Sequence, residues 1–397
     1  MKRIHIVTLA TCFVMLAAFV GAFRLLNPAV GRQSLKVGFI YDNDESTPYT
    51  YNFSLAKDNL EKEYGERVEI LTCSNVIDEE MEEPLRELAG EGCDIIFFNG
   101  YSEVVKELAP EYPNTQFCQT SYMDMSGVSV PENYHTFKGE AYQGRYVSGI
   151  AAGMKIGQMI SEGTIREDEA LVGFVAAYPT SEVISGYTAF LLGVRSIVPT
   201  AVMEVSYTNT WSSYAHEKSA AQKLINDGCV VISQHTDTIG PAIACEEISQ
   251  EKEVYFVGYN QSMAEVAPSS SLVTSRICWE PYVLGAVDAV MNGKPIEKVV
   301  EGNIHGSDIS AGFERGWVEI IDLNLQVCAP GTQKAMDDAI LKFRRGHKES
   351  VYHGNYTGKD PDDKNDTIDL HTAYIENENT SYPLFHYILD DVITIVE

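Results

Sequence analysis

Leu35-Lys-Val-Gly-Phe-Ile-Tyr41, Val68-Glu-Ile-Leu71 and Asp94-Ile-Ile-Phe-Phe98 are three short apolar runs rich in β-branched and aromatic residues. Helix-like stretches over 52–65 and 79–90 separate them. Strand, helix, strand, helix, strand is the pattern of a parallel sheet, because a parallel neighbour needs a long crossover. The third run has no polar alternation, as expected of a strand covered on both faces. A helix over 103–111 and a strand at 116–118 continue the pattern.

The same order returns further along. Ala170-Leu-Val-Gly-Phe-Val-Ala-Ala177 reads as a strand, 181–198 as a helix with one apolar face, 202–207 as a strand, 214–227 as a helix and 230–233 as a strand. Runs at 254–258 and 271–276 follow. Residues 139–157 are rich in Gly and Ala, which suits a closely packed helix. Two α/β lobes, each a doubly wound parallel sheet with a cleft between them, fit this order. The expected division is residues 35–140 with about 263–325 in lobe 1, and 141–262 with about 326–397 in lobe 2.

Polar and aromatic clusters follow several of the strands. Tyr207-Thr-Asn-Thr-Trp211 and Ser233-Gln-His-Thr-Asp237 mark a binding mouth, since open α/β sheets hold ligands at the C-terminal ends of their strands. No nucleophile–base arrangement, paired carboxylates or metal-ligand spacing accompanies them, so capture of a small molecule is expected, with no catalytic residue, metal or cofactor.

Lys2 and Arg3 precede an uncharged apolar run over 4–23 that Arg24 closes. Residues 1–34 therefore read as an export signal, or as an uncleaved anchor, since about 20 apolar residues span a bilayer. The 397 residues carry 57 Asp and Glu against 29 Lys and Arg, a formal charge of −28 that repels nucleic acid. Eight cysteines are scattered with no CxxC pair, and most are expected as buried thiols. Asp42-Asn-Asp-Glu45 lacks the spacing and glycine of a calcium loop, and 358–365 reads as an exposed polar loop.

Residues 137–153 (FKGEAYQGRYVSGIAAG), 175–193 (VAAYPTSEVISGYTAFLLG), Asn209-Thr-Trp211, Gln234-His-Thr-Asp237 and Thr274-Ser-Arg-Ile-Cys-Trp279 occur in this order. Together they resemble the basic membrane protein family of ABC-transporter solute-binding proteins, over roughly residues 36–395. The resemblance implies a type I periplasmic-binding-protein fold, an extracytoplasmic location, an ABC permease as partner and a purine-type ligand. A nucleobase needs aromatic faces, worth about 1–3 kcal/mol per stacked base, and a few directed polar groups.

Tyr49 stands where relatives carry a stacking aromatic, and Trp211 or Trp279 would complete the sandwich. Asp237 is the expected acceptor for an exocyclic amine or ring N–H, with His235 beside it. Tyr101, Tyr122, Tyr178 and Glu280 are further candidates for the wall. Asn260 and Cys278 lie where the nucleoside-binding branch presents an Asp and a Lys to ribose. An amide and a thiol lose those charge-assisted bonds, which favours a free nucleobase over a nucleoside. A membrane-tethered sensor using the same cleft is the competing class, and an enzyme acting on nucleosides is a third.

Overall fold

The computed structural model describes residues 34–396. The expected export signal or anchor at residues 1–34 lies, but for its last residue, outside the described residues. Among these no helix is long and apolar enough to cross a membrane.

Strands β1 (Leu35–Ile40), β2 (Val68–Cys73), β3 (Ile95–Phe98), β4 (Gln116–Thr120) and β5 (Tyr134–Gly139) build the first sheet. β6 (Leu171–Ala176), β7 (Val202–Tyr207), β8 (Val231–His235), β9 (Tyr255–Tyr259) and β10 (Ser271–Ile277) build the second. β11 (Asn303–His305) and β12 (Asp308–Ala311) rejoin the first sheet, and β13 (Val318–Ile321) rejoins the second. β14 (Thr357–Lys359), β15 (Thr367–Asp369) and β16 (Ile388–Leu389) form a small antiparallel sheet, and β17 (Ile393–Val396) closes an edge of the second large one. The orders are 11-12-5-4-3-1-2 and 13-10-9-8-6-7-17.

In each sheet the winding reverses, between β1 and β3 in the first and between β6 and β8 in the second. A crevice opens at such a reversal because successive crossover helices leave it on opposite faces. This is the type I periplasmic-binding-protein fold, with two doubly wound α/β lobes.

Helices α1 (Pro48–Tyr64), α2 (Glu82–Gly90) and α3 (Val105–Leu108) cover the first sheet, α4 (Ala141–Glu162), α5 (Ser181–Arg195), α6 (Tyr214–Asp227) and α7 (Gly240–Ile248) the second; α8 (Glu280–Met291) returns to the first lobe and α9 (Thr332–Arg344) to the second. The continuous apolar runs are explained by two-sided burial. Val37, Phe39, Ile95 and Phe97 pack under α1 and α8, while Ile40, Ile96 and Phe98 pack on the opposite face with Leu85 and Leu88 of α2. The Gly-rich stretch is α4. A Cβ on Gly149 would stand 2.1 Å from the Phe190 carbonyl oxygen of α5, and one on Gly193 2.1 Å from that of Tyr146, so both glycines are needed for the close approach.

The expected lobe boundaries need correction. β10 continues parallel to β9, and β13 pairs antiparallel with β10, so 271–277 and 318–321 belong to the second sheet and not to lobe 1. Within 263–325, the segment carrying α8, β11 and β12 is the part that crosses back to the first sheet. The C-terminal segment also does more than extend lobe 2. Ser185 Oγ donates to Glu376 Oε2 (2.7 Å) and Ser181 Oγ to the Pro383 carbonyl (2.8 Å), while Met125 N–H of the first lobe donates to Thr380 Oγ1 (3.0 Å) and Ser381 N–H to Asp308 Oδ2 (2.6 Å). All seven described cysteines are free thiols, and all but Cys73 are buried.

Candidate functional site

Between the lobes lies a cavity of about 140 Å³. Its walls come from the ends of strands at both winding reversals: Asp42 and Asn43 after β1, Gly100 after β3, His235 and Asp237 at and beyond the end of β8, Tyr259 and Asn260 at the end of β9. Tyr49, Asp78, Tyr122, Lys138, Glu182 and Trp211 complete the lining.

The first-lobe wall is tied into its own hydrogen bonds. Asp42 Oδ1 accepts from Thr50 Oγ1 (2.9 Å) and the Asn43 N–H (2.8 Å), and the Asp42 N–H donates to Asn99 Oδ1 (2.9 Å). Burial raises the Asp42 pKa, and the hydrogen bonds from Thr50, Asn43 and Asn99 counter part of that rise. The Tyr49 hydroxyl reaches Thr120 Oγ1 and the Tyr122 hydroxyl, each at 3.4 Å, and the Tyr122 hydroxyl donates to the Asn99 carbonyl. Lys138 is buried; its ammonium donates to the Ser121 carbonyl and across the cleft to Glu182 Oε2, both at 2.9 Å.

The second-lobe wall is different. Trp211 keeps 39% of its surface exposed, packs edge-on against Tyr178 at 5.5 Å, and its carbonyl accepts the Asp237 N–H (2.8 Å). His235 lies 4.8 Å from the Tyr259 ring, its Nε2 is 4.0 Å from Glu182 Oε1, and its buried Nδ1 finds no partner among the described residues. Burial, followed by the positive charges of Arg145 and Lys138, holds its pKa well below the usual histidine value, so the ring is neutral. Asn260 adopts a left-handed φ of 63°, tolerated by Asn better than by most residues. Its Nδ2 is buried and unpartnered among the described residues.

Asp237 has no side-chain hydrogen bond among the described residues. Burial raises its pKa well above the usual carboxylate value, and Asp42, Glu217 and Glu182 add to the rise. Beneath Tyr259 the guanidinium of Arg145 stacks 3.4 Å from the ring centroid; burial lowers the pKa of this fully enclosed group to about 10. With Asp42, Asp78, Glu182 and Asp237 facing Lys138, the cavity has more acidic than basic side chains.

Six of the nine sequence-predicted residues line this cavity: Tyr49, Tyr122, Trp211, His235, Asp237 and Asn260. Tyr178 stands behind Trp211. Tyr101 is turned away, its hydroxyl donating to Glu103 (2.8 Å), and it lines a separate hollow of about 10 Å³ beside Tyr122. Trp279 is corrected to a core residue: it is fully buried among Phe53, Phe137 and the edge of Tyr49. The reason is the helix it precedes, because α8 docks its apolar face on the first sheet and carries Trp279 under it. Cys278 and Glu280 do not line the cavity either. The Cys278 N–H donates to the Trp317 carbonyl (2.8 Å), and Glu280 accepts from Asn59 Nδ2 (3.2 Å).

Sequence reasoning passed over Asp42, Asn43, Asp78, Gly100, Lys138, Glu182 and Tyr259 as wall residues. Asp42 and Asn43 carried the same signal as Asp237, a polar group just past a strand, but were weighed only as a cation loop. Lys138 and Glu182 could not be paired from sequence, because they come from opposite lobes.

Two sheets wound in this way around an interlobe cavity are an architecture that solute-binding proteins share. The chain belongs to the Bmp family, the PnrA-like ABC transporter substrate-binding proteins, whose model matches residues 34–345. Its members capture small molecules outside the cytoplasm and work with membrane permeases. A purine-binding protein of Brucella abortus (strain 2308) is 28% identical over 283 residues, 70% of this chain and 75% of the relative. A Haloferax volcanii protein, provisionally named an ABC transporter glucose-binding protein, is 28% identical over 261 residues, 65% of this chain and 57% of that one. A solute-binding protein from Aeropyrum pernix K1 has the same fold, with TM-score 0.62 at 15% identity, covering 79% of this chain and 92% of that one.

Proposed function

We propose that this substrate-binding protein captures a purine-type ligand, a nucleobase in preference to a nucleoside, and delivers it to an ABC importer. The observation that carries the reading is the second-lobe wall: an exposed tryptophan face beside a half-buried carboxylate with no side-chain hydrogen bond, a neutral imidazole and an unpartnered amide donor. A flat heterocycle with N–H groups at its edge can lie on the tryptophan face and donate to the Asp237 carboxylate, while His235 Nδ1 and Asn260 Nδ2, buried just behind the wall, need a small side-chain rotation to reach it. The excess of acidic groups favours a donor-rich edge such as that of adenine.

Size supports the base over the nucleoside. A cavity of about 150 Å³ is known to take a single benzene ring, and the one here is of that order. Asn260 in place of a carboxylate supports it as well. Cys278 no longer does, because it lies outside the cavity. The Brucella abortus relative, named for purine binding, adds support from outside the chain. Export and tethering through residues 1–34 belong to the same reading; a tethered sensor would use the same cleft, and loss of ligand uptake on deletion separates transport from sensing.

Calorimetry of the purified protein with adenine, guanine, hypoxanthine, their nucleosides, ribose and glucose tests the proposal. A free base is expected to bind more tightly than its nucleoside, and mass spectrometry is expected to recover it unchanged. Tighter binding of adenosine, guanosine or glucose than of any base would overturn the ligand class, and recovery of a cleaved product would move the chain to the enzymes.

A further inference from the structure

The C-terminal segment after residue 345 lies beyond the part of the chain that matches the family. Its small antiparallel sheet is closed by a hairpin loop, 360–366, between β14 and β15, with β16 on the other side of β14. Three side chains meet beside that loop: Asp360, Asp366 and His386. One ligand-type atom from each lies within 4.8 Å of the other two.

Each of the three has its remaining polar atom already engaged elsewhere. His386 Nδ1 faces the Leu384 carbonyl at 2.7 Å, and because a carbonyl can only accept, the proton is on Nδ1. In the neutral ring Nε2 then offers a lone pair. Asp366 Oδ1 accepts from the Tyr387 hydroxyl (3.0 Å), and Asp360 Oδ1 accepts from the Asp362 N–H (2.8 Å). That leaves Asp366 Oδ2 at 3.4 Å and Asp360 Oδ2 at 3.7 Å from His386 Nε2. With the ring neutral, three lone-pair atoms face one another and repel unless a proton or a metal cation joins them.

A proton on Nε2 would make His386 an imidazolium hydrogen-bonded to Asp366 at 3.4 Å, with Asp360 at 3.7 Å, a long contact for such a pair. A charge-assisted N–H···O bond closes to about 2.7–2.9 Å, shorter than either separation. Two ligands on a tetrahedral ion with bonds of about 2.0–2.2 Å stand roughly 3.3–3.6 Å apart; Asp366 stands within that range of His386 Nε2 and Asp360, at 3.7 Å, just outside it. The outward hydrogen bonds to the Leu384 carbonyl and from Tyr387 are the kind of outer contacts that orient metal-bound imidazole and carboxylate. Two carboxylates and one neutral imidazole also balance a divalent charge.

We propose that Asp360, Asp366 and His386 bind a divalent transition-metal ion of the Zn²⁺ class, with solvent in the remaining position, and that the ion fastens the 360–366 loop to the residues leading into β16. One imidazole with two carboxylates suits Zn²⁺ better than Ca²⁺, which takes six to eight oxygens. The site is structural and separate from the ligand cavity. It would stiffen the segment whose residues 380 and 381 also bond to Met125 and Asp308 of the first lobe.

The full chain, cleared of metal with a chelator, is titrated with Zn²⁺ by calorimetry, and Co²⁺ is added separately to read the absorption of a four- or five-coordinate ion. One equivalent of Zn²⁺ is expected to bind and to raise the melting temperature. His386→Ala and Asp366→Asn should each weaken binding at least tenfold and abolish the Co²⁺ band. His371→Ala, which removes a different exposed histidine paired with Asp369 at 2.6 Å, should leave both unchanged. Binding of the purine panel should be the same in all these variants, which separates this test from that of the ligand class. No stoichiometric Zn²⁺ binding, equal binding in His386→Ala and wild type, or displacement of Zn²⁺ by equimolar Ca²⁺ would overturn the proposal.

Discussion

The two walls of the cavity are made from equivalent strand ends, yet they stand in opposite states. On the first lobe, Asp42, Tyr49, Tyr122 and Lys138 are all bonded to neighbours from Thr50, Asn99, Thr120 and Ser121. On the second, His235 Nδ1 and Asn260 Nδ2 are buried without a partner among the described residues, and the partly exposed Asp237 carboxylate makes no side-chain hydrogen bond there. A buried polar group without a partner costs about 1–3 kcal/mol. The second lobe therefore carries the unsatisfied polar groups of the cavity, and the first a wall whose polar groups are already bonded. Recognition and rigidity are divided between lobes, joined by the Lys138–Glu182 pair across the cleft.

The largest expected effect comes from breaking that junction. Lys138→Met leaves Glu182 as an uncompensated charge in a site where both partners are mostly buried. Removing one member of such a pair costs about 3–5 kcal/mol, read as a fall in the denaturant midpoint. Small-angle scattering of the variant is expected to show a more open ligand-free form. An unchanged midpoint would mean the lobes are held together elsewhere, with the 376–385 segment as the first place to look.

Trp211→Ala comes next, because it removes the open aromatic face of the second wall. Adenine, guanine and hypoxanthine should all lose about 1–3 kcal/mol of binding, since every base has a π-face. Thermal stability should change little, in contrast to substitution of Trp279 in the core. Equal affinity in Trp211→Ala with the fold intact would place the ligand against the first-lobe tyrosines instead.

Asp237→Asn should give the smallest loss in absolute terms but the most selective one. The amide keeps the shape and adds a donor, so bases are expected to lose affinity according to how many N–H groups they present to this position. A pH series sharpens the point. The raised pKa of Asp237 means that at low pH a ligand N–H must displace a proton from it. Wild-type affinity should therefore rise with pH, by up to about tenfold per unit, and level off above the ligand-free pKa. The slope should vanish in Asp237→Asn. Stability has the opposite sign: between the unfolded value of 3.8 and the raised folded value the native state holds the extra proton, so this residue's contribution falls as pH rises through that window. At neutral pH the Asn variant should melt higher than wild type without ligand, because it has no charge to desolvate. A lower melting point would show that Asp237 is satisfied in solution and belongs to the rigid wall.

What the sequence determined by itself was set by local periodicity and by placement. Apolar runs without alternation, such as 94–98 and 170–177, report two-sided burial directly, so the α/β order and the doubly wound lobes could be read from it. Polar residues just past those runs located the mouth, and His235 and Asp237 were found that way, whereas Asn260 came from the resemblance to the family. Tertiary structure decided the rest. Trp211 and Trp279 each follow a strand and look alike in sequence, but α8 carries one into the core while the loop after β7 leaves the other on the cavity wall. The lobe boundary near 263–325 was misplaced because the pairing of β10 with β9 and β13 depends on neighbours remote in the chain. Lys138 with Glu182, and Asp360 with Asp366 and His386, become partners only when segments 20 to 44 residues apart are folded together. Burial of a run is inscribed in its own residues; the partner of a charge is fixed only by the packing that brings distant segments into contact.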